Sequence, residues 1–272
     1  MKARLQLEQT SLTVDLARAV SLAIELDPAA PQPRHFGAPR ATLRPWSAPG
    51  FSGSVAAGAS CNCGSLTLVP HCNGTHTEGV GHLTTDRVEA HRVVPAGLLP
   101  AVVRSVQIVE AAATREGATP SPQPGDRLVT REQLEPAWRA ALPFAPRMLV
   151  IRTLPNDDGK RTRDYTDANA PYLTNEAARM LVERGIEHLI VDLPSVDRSH
   201  DEGRLSAHRI FFGLPAGSTS SSEATRPRAT ITELAFIPDA LPDGPYLAEI
   251  QAPAIAGDAV PSRPLLYPLL AS

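Results

Sequence analysis

Apolar and polar positions alternate with period two through residues 9–30. Leu12, Val14 and Leu16, then Val20, Leu22, Ile24 and Leu26, predict strands there. The alternation then stops: residues 29–53 carry Pro31, Pro33, Pro39, Pro45 and Pro49 and read as a loop-like arm. Residues 65–69 form a short β-like run closed by Pro70. A strand pair is expected over 98–110, interrupted at Pro100. After a Pro/Gly-rich turn at 119–126, Thr130 followed by Gln133 fits a capping box opening a helix that Pro136 keeps short. Residues 147–153, with Met148-Leu149-Val150-Ile151, predict a buried strand. Thr174 is set to cap a helix that turns Ala177, Ala178, Leu181 and Val182 inward and stops at Gly185. Residues 187–193 predict the next strand. A polar insertion follows at 217–230, then strands at 230–236 and 246–252 and a proline-rich tail.

This order, with strand-helix-strand in its second half, predicts an α/β fold with a mixed, sheet-rich layout. With no internal repeat and no linker, the expectation is one domain over 1–272, its first 55 residues being strands and the proline-rich arm.

Composition narrows the function classes. Among 272 residues, 26 Lys+Arg stand against 29 Asp+Glu, a net charge of −3. That balance argues against nucleic acid and membrane surfaces as partners and favours a small-molecule substrate. No run reaches the roughly 18 apolar residues that span a bilayer. Met1-Lys2-Ala3-Arg4 has a basic start but no apolar stretch after it, so no secretory signal is expected. Three cysteines cannot all pair within the chain, which points to reduced thiols and a cytoplasmic protein.

The chemistry concentrates in His71-Cys72-Asn73-Gly74-Thr75-His76-Thr77-Glu78-Gly79-Val80-Gly81-His82. Three imidazoles, one thiol and one carboxylate fall within it, among glycines that let the backbone bend. These are ligand types suited to zinc, and the carboxylate also to manganese or iron. Cys61 and Cys63 read as bystanders, since their spacing to Cys72 is not that of a common zinc finger. His35, His91 and His188 carry no partner signal. His200 lies in a charged segment, where solvation is the usual state.

The same residues resemble the metal-dependent cyclase family that includes bacterial kynurenine formamidase, whose hallmark is His-x-Gly-Thr-His-x-Asp-x-Pro-x-His. Gly74-Thr75-His76 and His82 match that frame. The resemblance implies that His76 is a metal ligand, that Glu78 takes the place of a metal-bridging aspartate, and that His82 is the catalytic acid/base. Cys72 falls in the first ligand slot, with His71 beside it as the alternative, and Val80 stands where the family has proline. Downstream, Val191-Asp192-Leu193-Pro194-Ser195-Val196-Asp197 resembles the family's Asp-Thr-Pro-Ser-Val-Asp segment. Leu205-Ser206-Ala207-His208 and Thr232-Glu233-Leu234 resemble the segments that hold its later ligands, which implies His208 and Glu233 at a second metal. Arg152-Thr153 and Pro261-Ser262-Arg263-Pro264 echo further family segments, so the likeness runs from about Leu66 to Leu266. His208 and Glu233 lie farther apart than in the family, and the 217–230 insertion accounts for the excess. Such an insertion costs little closure entropy. Asp192 and Asp197 are expected to orient ligands, and Ser195 lacks the context of a serine nucleophile.

The resemblance further implies a cyclase-like swivelling β/β/α fold, one or two divalent ions (zinc first, manganese second) and a homodimer or tetramer. The activity it implies is hydrolysis of a C–N amide bond, N-formyl or cyclic, in an aromatic small molecule. A cyclase, dehydratase or lactone hydrolase fits the same scaffold. The departures at 72, 78 and 80 also admit a relative that binds metal without catalysis.

Overall fold

The computed structural model describes residues 1–7, 10–138 and 142–270. Gln9, where the predicted alternation begins, lies outside them, as do the last two positions of the expected 1–272 domain. Among the described residues, the chain builds one sheet of eleven strands. Its centre is a parallel run in the order Leu99–Gln107, Met148–Leu154, His188–Val191 and Thr230–Glu233. Antiparallel strands extend it on both sides. Beyond Thr230–Glu233 lie His76–Glu78 and then Ala259–Pro261. Beyond Leu99–Gln107 lie Gly244–Gln251 and Arg263–Leu270, with Thr10–Asp15 and Lys2–Leu7 outermost and Val20–Ser21 also on Arg263–Leu270. The fold is mixed α/β and rich in sheet, as the hydrophobic pattern predicts.

The central strands are apolar without a break because both of their faces are covered. Leu149, Ile151, Leu189, Val191 and Ile231 pack on one face with Ala177, Ala178 and Leu181 of the Asn175–Glu183 helix and with Phe211 and Phe212. Met148, Val150 and Ile190 face the other way, onto Leu22, Ala248, Ile237 and Leu266. Thr174 caps its helix by accepting the Ala177 N–H at 3.0 Å, and Thr130 caps Arg131–Leu134 through the Gln133 N–H at 3.2 Å. Both caps lie where the sequence places them.

Several expectations need correction. Pro100 does not interrupt its strand. It is the second residue of Leu99–Gln107, near the end, where a missing N–H costs least. The proline-rich tail is largely strand, and Pro264 and Pro268 both sit within Arg263–Leu270. The arm carries the short strands Thr42–Pro45, Ser47–Ala48 and Phe51–Ser52. Thr230 belongs to a strand and not to the insertion. The insertion itself is tied down, since Thr85 N–H reaches Thr219 O at 2.8 Å and Ser220 Oγ reaches Asp86 at 3.0 Å. None of the described helices is long and apolar enough to cross a membrane.

His188 opens the third parallel strand, buried, with Nδ1 2.9 Å from Thr230 Oγ1. Burial pushes its pKa down to about 4 from 6.5; Glu187 opposes this, and Arg147, Arg226 and Arg228 reinforce it. The unfolded chain therefore takes up a proton below pH 6.5 that the folded chain refuses until about pH 4. Stability contributed by neutral His188 is complete above 6.5 and lost as pH falls through that window. Denaturant titrations from pH 7 to 4 should show the parent losing up to about 3 kcal/mol more than His188→Gln. Equal losses in both proteins would contradict this role for His188.

Candidate metal centre

Part of the 71–82 segment is strand. Gly74 sits at φ 145°, a conformation open chiefly to glycine, and its carbonyl meets His76 Nδ1 at 3.0 Å. The chain then enters His76–Glu78. Strand alternation sets His76 and Glu78 on one face and Thr77 on the other, where Thr77 meets Thr232 at 2.7 Å and Ser262 at 2.8 Å. Register pairs His76 with Glu233, and Glu233 Oε2 lies 3.5 Å from His76 Nε2. Val80 is fully buried and starts the single turn Val80–Leu83 that swings His82 back to the group.

His208 arrives on the Ser206–Phe212 helix, which sequence reasoning missed. The residue before it, Leu205, is no capping residue, and the cap comes from Asp197 in the preceding loop. Asp197 accepts the N–H groups of Ala207 at 2.8 Å and His208 at 3.0 Å. Its Oδ2 also takes His208 Nδ1 at 2.7 Å, which fixes the ring. Glu233 is fixed in turn by the Val196 N–H, 2.7 Å from its Oε1.

These elements bring the ligand-type atoms of three triads within 4.8 Å of one another: His71, His76 and Glu78; Glu78, His82 and His208; and His71, His82 and Asp258. Glu78 belongs to two of them. Its Oε2 lies 2.9 Å from His71 Nδ1 and its Oε1 2.7 Å from His208 Nε2. Asp258, which no sequence signal marked, precedes the Ala259–Pro261 strand. From there its Oδ2 reaches His71 Nε2 at 2.8 Å and His82 Nδ1 at 3.4 Å.

The donor set fits a divalent cation. His76 Nε2, His208 Nε2 and both Glu78 oxygens are buried, yet none has a hydrogen-bond partner. The 2.7 Å approach of His208 to Glu78 is close but lacks hydrogen-bond geometry. His208 gives its Nδ1 proton to Asp197 and His76 gives its own to Gly74 O, which turns Nε2 of each ring inward. Lone pairs converging on a buried carboxylate need positive charge between them. Protons can supply some of it. Burial opposes charge on His208, but Glu78, Asp197 and Glu233 outweigh it and raise its pKa well above the usual value. Burial likewise opposes charge on Glu78, while His82 and His208 hold its carboxyl well below the ordinary range. His71 follows the same pattern: burial lowers its pKa, and Asp258 and Glu78 raise it to about 10.

Of the sequence-predicted residues, His71, His76, Glu78, His82 and His208 fall together in these triads, and Glu233 borders them, 3.5 Å from His76 and 3.6 Å from His208. Cys72 is in none of the triads. Its side chain is buried, burial pushes its thiol pKa up, and its backbone carbonyl accepts the His35 N–H at 3.1 Å. The adjacent residue, His71, points its ring at Glu78 instead. Asp197 orients His208 as expected, whereas Asp192 does not touch the cluster and binds Thr153 and Lys160. Cys61 and Cys63 are exposed. His35, passed over in the sequence, is 1% exposed with both ring nitrogens unpartnered.

Comparisons with known proteins give the family and the fold. The Cyclase family model matches residues 12–198, and the chain belongs to that family. A solved structure described as a potential metal-dependent hydrolase with cyclase activity is 14% identical, with TM-score 0.60, covering 92% of this chain and 97% of its own. Isatin hydrolase A from Labrenzia aggregata is 20% identical, with TM-score 0.57 and coverage of 92% and 93%. Isatin hydrolase A from Ralstonia solanacearum is 17% identical, with TM-score 0.56 and coverage of 92% and 91%. At these identities the likeness is one of fold. No curated protein sequence matches the chain significantly.

The choice between neighbours 71 and 72 is open to direct measurement. Cys72→Ser should leave the bound divalent metal unchanged by elemental analysis, and His71→Ala should lower it by about half or more. The reverse pattern would return the ligand position to Cys72.

Proposed function

We propose that this protein is a metal-dependent hydrolase that opens a C–N amide bond, N-formyl or cyclic, next to an aromatic ring. The observation that carries the reading is Glu78, a fully buried carboxylate shared by two histidine-containing triads, its oxygens facing imidazole nitrogens without a hydrogen bond. Family membership and the isatin hydrolases among the structural neighbours support the reaction class, since isatin is a cyclic amide fused to an aromatic ring.

In this reading His71, His76, Glu78, His208 and Glu233 hold one or two divalent ions, with zinc the first choice for so imidazole-rich a set and manganese the second. When bound, the ion supplies Lewis-acid polarisation of a carbonyl and activation of water. The remaining chemistry belongs to the chain. Asp197 keeps His208 in one tautomer, and Val196 N–H keeps Glu233 in place. His82 is partly exposed, beside both Glu78 and His208, and Asp258 faces its Nδ1. From that position its ring takes a proton from water and delivers it to the leaving nitrogen, while Asp258 stabilises the transient imidazolium.

Kinetics and elemental analysis together test these roles. Supplied with Zn²⁺ or Mn²⁺, the protein should turn over formanilides or isatin-like lactams in preference to simple lactones. His82→Ala should lose about a hundredfold to ten-thousandfold in kcat with metal content retained. Lactone turnover without amide turnover would overturn the substrate class. Full activity in His82→Ala would overturn the proton role.

A further inference from the structure

At the carboxyl end of the Met148–Leu154 and His188–Val191 strands, one loop away from the metal centre, lies a hollow of about 300 Å³. Three cations line it: Arg127, Lys160 and Arg163. Two are spent. Lys160 Nζ donates to Thr153 O at 2.7 Å, Thr153 Oγ1 at 3.0 Å, Asn156 Oδ1 at 3.1 Å and Asp192 Oδ2 at 2.8 Å. Arg163 Nη2 meets both Asp157 oxygens, at 2.8 and 3.0 Å. Arg127 is half-buried, and its guanidinium has no ion pair or hydrogen bond among the described residues. Three cations against Asp157 and Asp192 leave the hollow with one positive charge in excess.

Tyr165 adds a donor. Its side chain is 3% exposed and lies among Arg163, Asp192 and Asp157, and burial pushes its hydroxyl pKa up, so it keeps its proton at neutral pH. Ile108, Leu193 and Pro194 give the same hollow apolar walls. A guanidinium offers two parallel N–H groups that match a carboxylate. One excess charge suits a monoanion, whereas a phosphate dianion would invert the balance. The volume falls at the lower end of small-molecule pockets, about 300–1,000 Å³.

We propose that this hollow is a binding site for a small organic carboxylate, with Arg127 as its ion partner, Tyr165 as a second donor and the apolar walls taking the ring or chain. It adjoins the metal centre through the chain itself. Leu193 and Pro194 line it, and Val196, two residues on, holds Glu233. Tyr165 N–H bonds Arg34 O at 2.8 Å, and the next residue, His35, bonds Cys72 O. Occupancy is read by binding alone, so the test stands apart from turnover.

Calorimetric titration with sodium benzoate, beside its neutral isostere benzamide, tests the site on the intact protein. Saturable benzoate binding is expected, with benzamide and the Arg127→Gln variant each weaker by about tenfold or more. Arg127→Lys should recover part of the affinity, and Glu78→Gln should bind benzoate as the parent does. Should Arg127→Gln fail to fold by thermal melt, Tyr165→Phe replaces it, with a smaller loss expected. Unchanged affinity in the Arg127 and Tyr165 variants, or equal binding of benzamide, would overturn the proposal. So would stronger binding of inorganic phosphate, or loss of benzoate binding in Glu78→Gln alone, which would put the carboxylate at the metal centre.

Discussion

Removing a carboxylate from water is among the most costly events in folding unless something positive meets it. Glu78 is fully buried, and what meets it is a ring of imidazoles whose own protons are largely committed elsewhere. Asp197 takes the Nδ1 proton of His208 and Gly74 O that of His76, which leaves Nε2 of each ring facing the carboxylates. Asp258 and Glu233 add further negative charge at the rim. A divalent cation satisfies this arrangement with one species, and the rest of the centre can be read as the means of keeping those donors aimed.

The sheet provides the aim. Parallel strands end together, which gathers Glu233, Asp192 and the 192–197 loop at one edge, where α/β folds commonly bind ligands. The antiparallel His76–Glu78 strand is then hydrogen-bonded in register against Thr230–Glu233, so that His76 faces Glu233 across a fixed spacing. The Ala259–Pro261 strand on its other side sets Asp258 against His71 and His82. Backbone hydrogen bonds thus fix the carboxylates and imidazoles before any ligand arrives, which is the rigidity that precise positioning of a reacting group requires.

Much of this was legible in the sequence, for identifiable reasons. The run Met148–Ile151 is apolar on both parities because both faces are buried, and Thr174 is a cap because its hydroxyl serves the helix it precedes. His208 and Glu233 stood out only through the likeness of their segments to those of the family, and the structure sets both beside His76. What escaped depended on tertiary partners. The helix carrying His208 is capped from Asp197, eleven residues away, and so has no local signature. Asp258 enters only through strand register. That the His71 ring, and not the Cys72 thiol, lies beside Glu78 turns on which way two adjacent side chains leave the backbone, and spacing alone leaves that undetermined.

Anomalous diffraction from crystals grown with Zn²⁺ or Mn²⁺ tests directly for a cation seated against Glu78. The expected result is a peak at coordination distance, about 2.0–2.2 Å for zinc, from a Glu78 oxygen and from ring nitrogens of His71 and His76, or from His208 on its other side. A peak on Cys72 Sγ with His71 turned away would contradict the ligand assignment. A fully supplied crystal with no peak within reach of Glu78 would contradict the central claim.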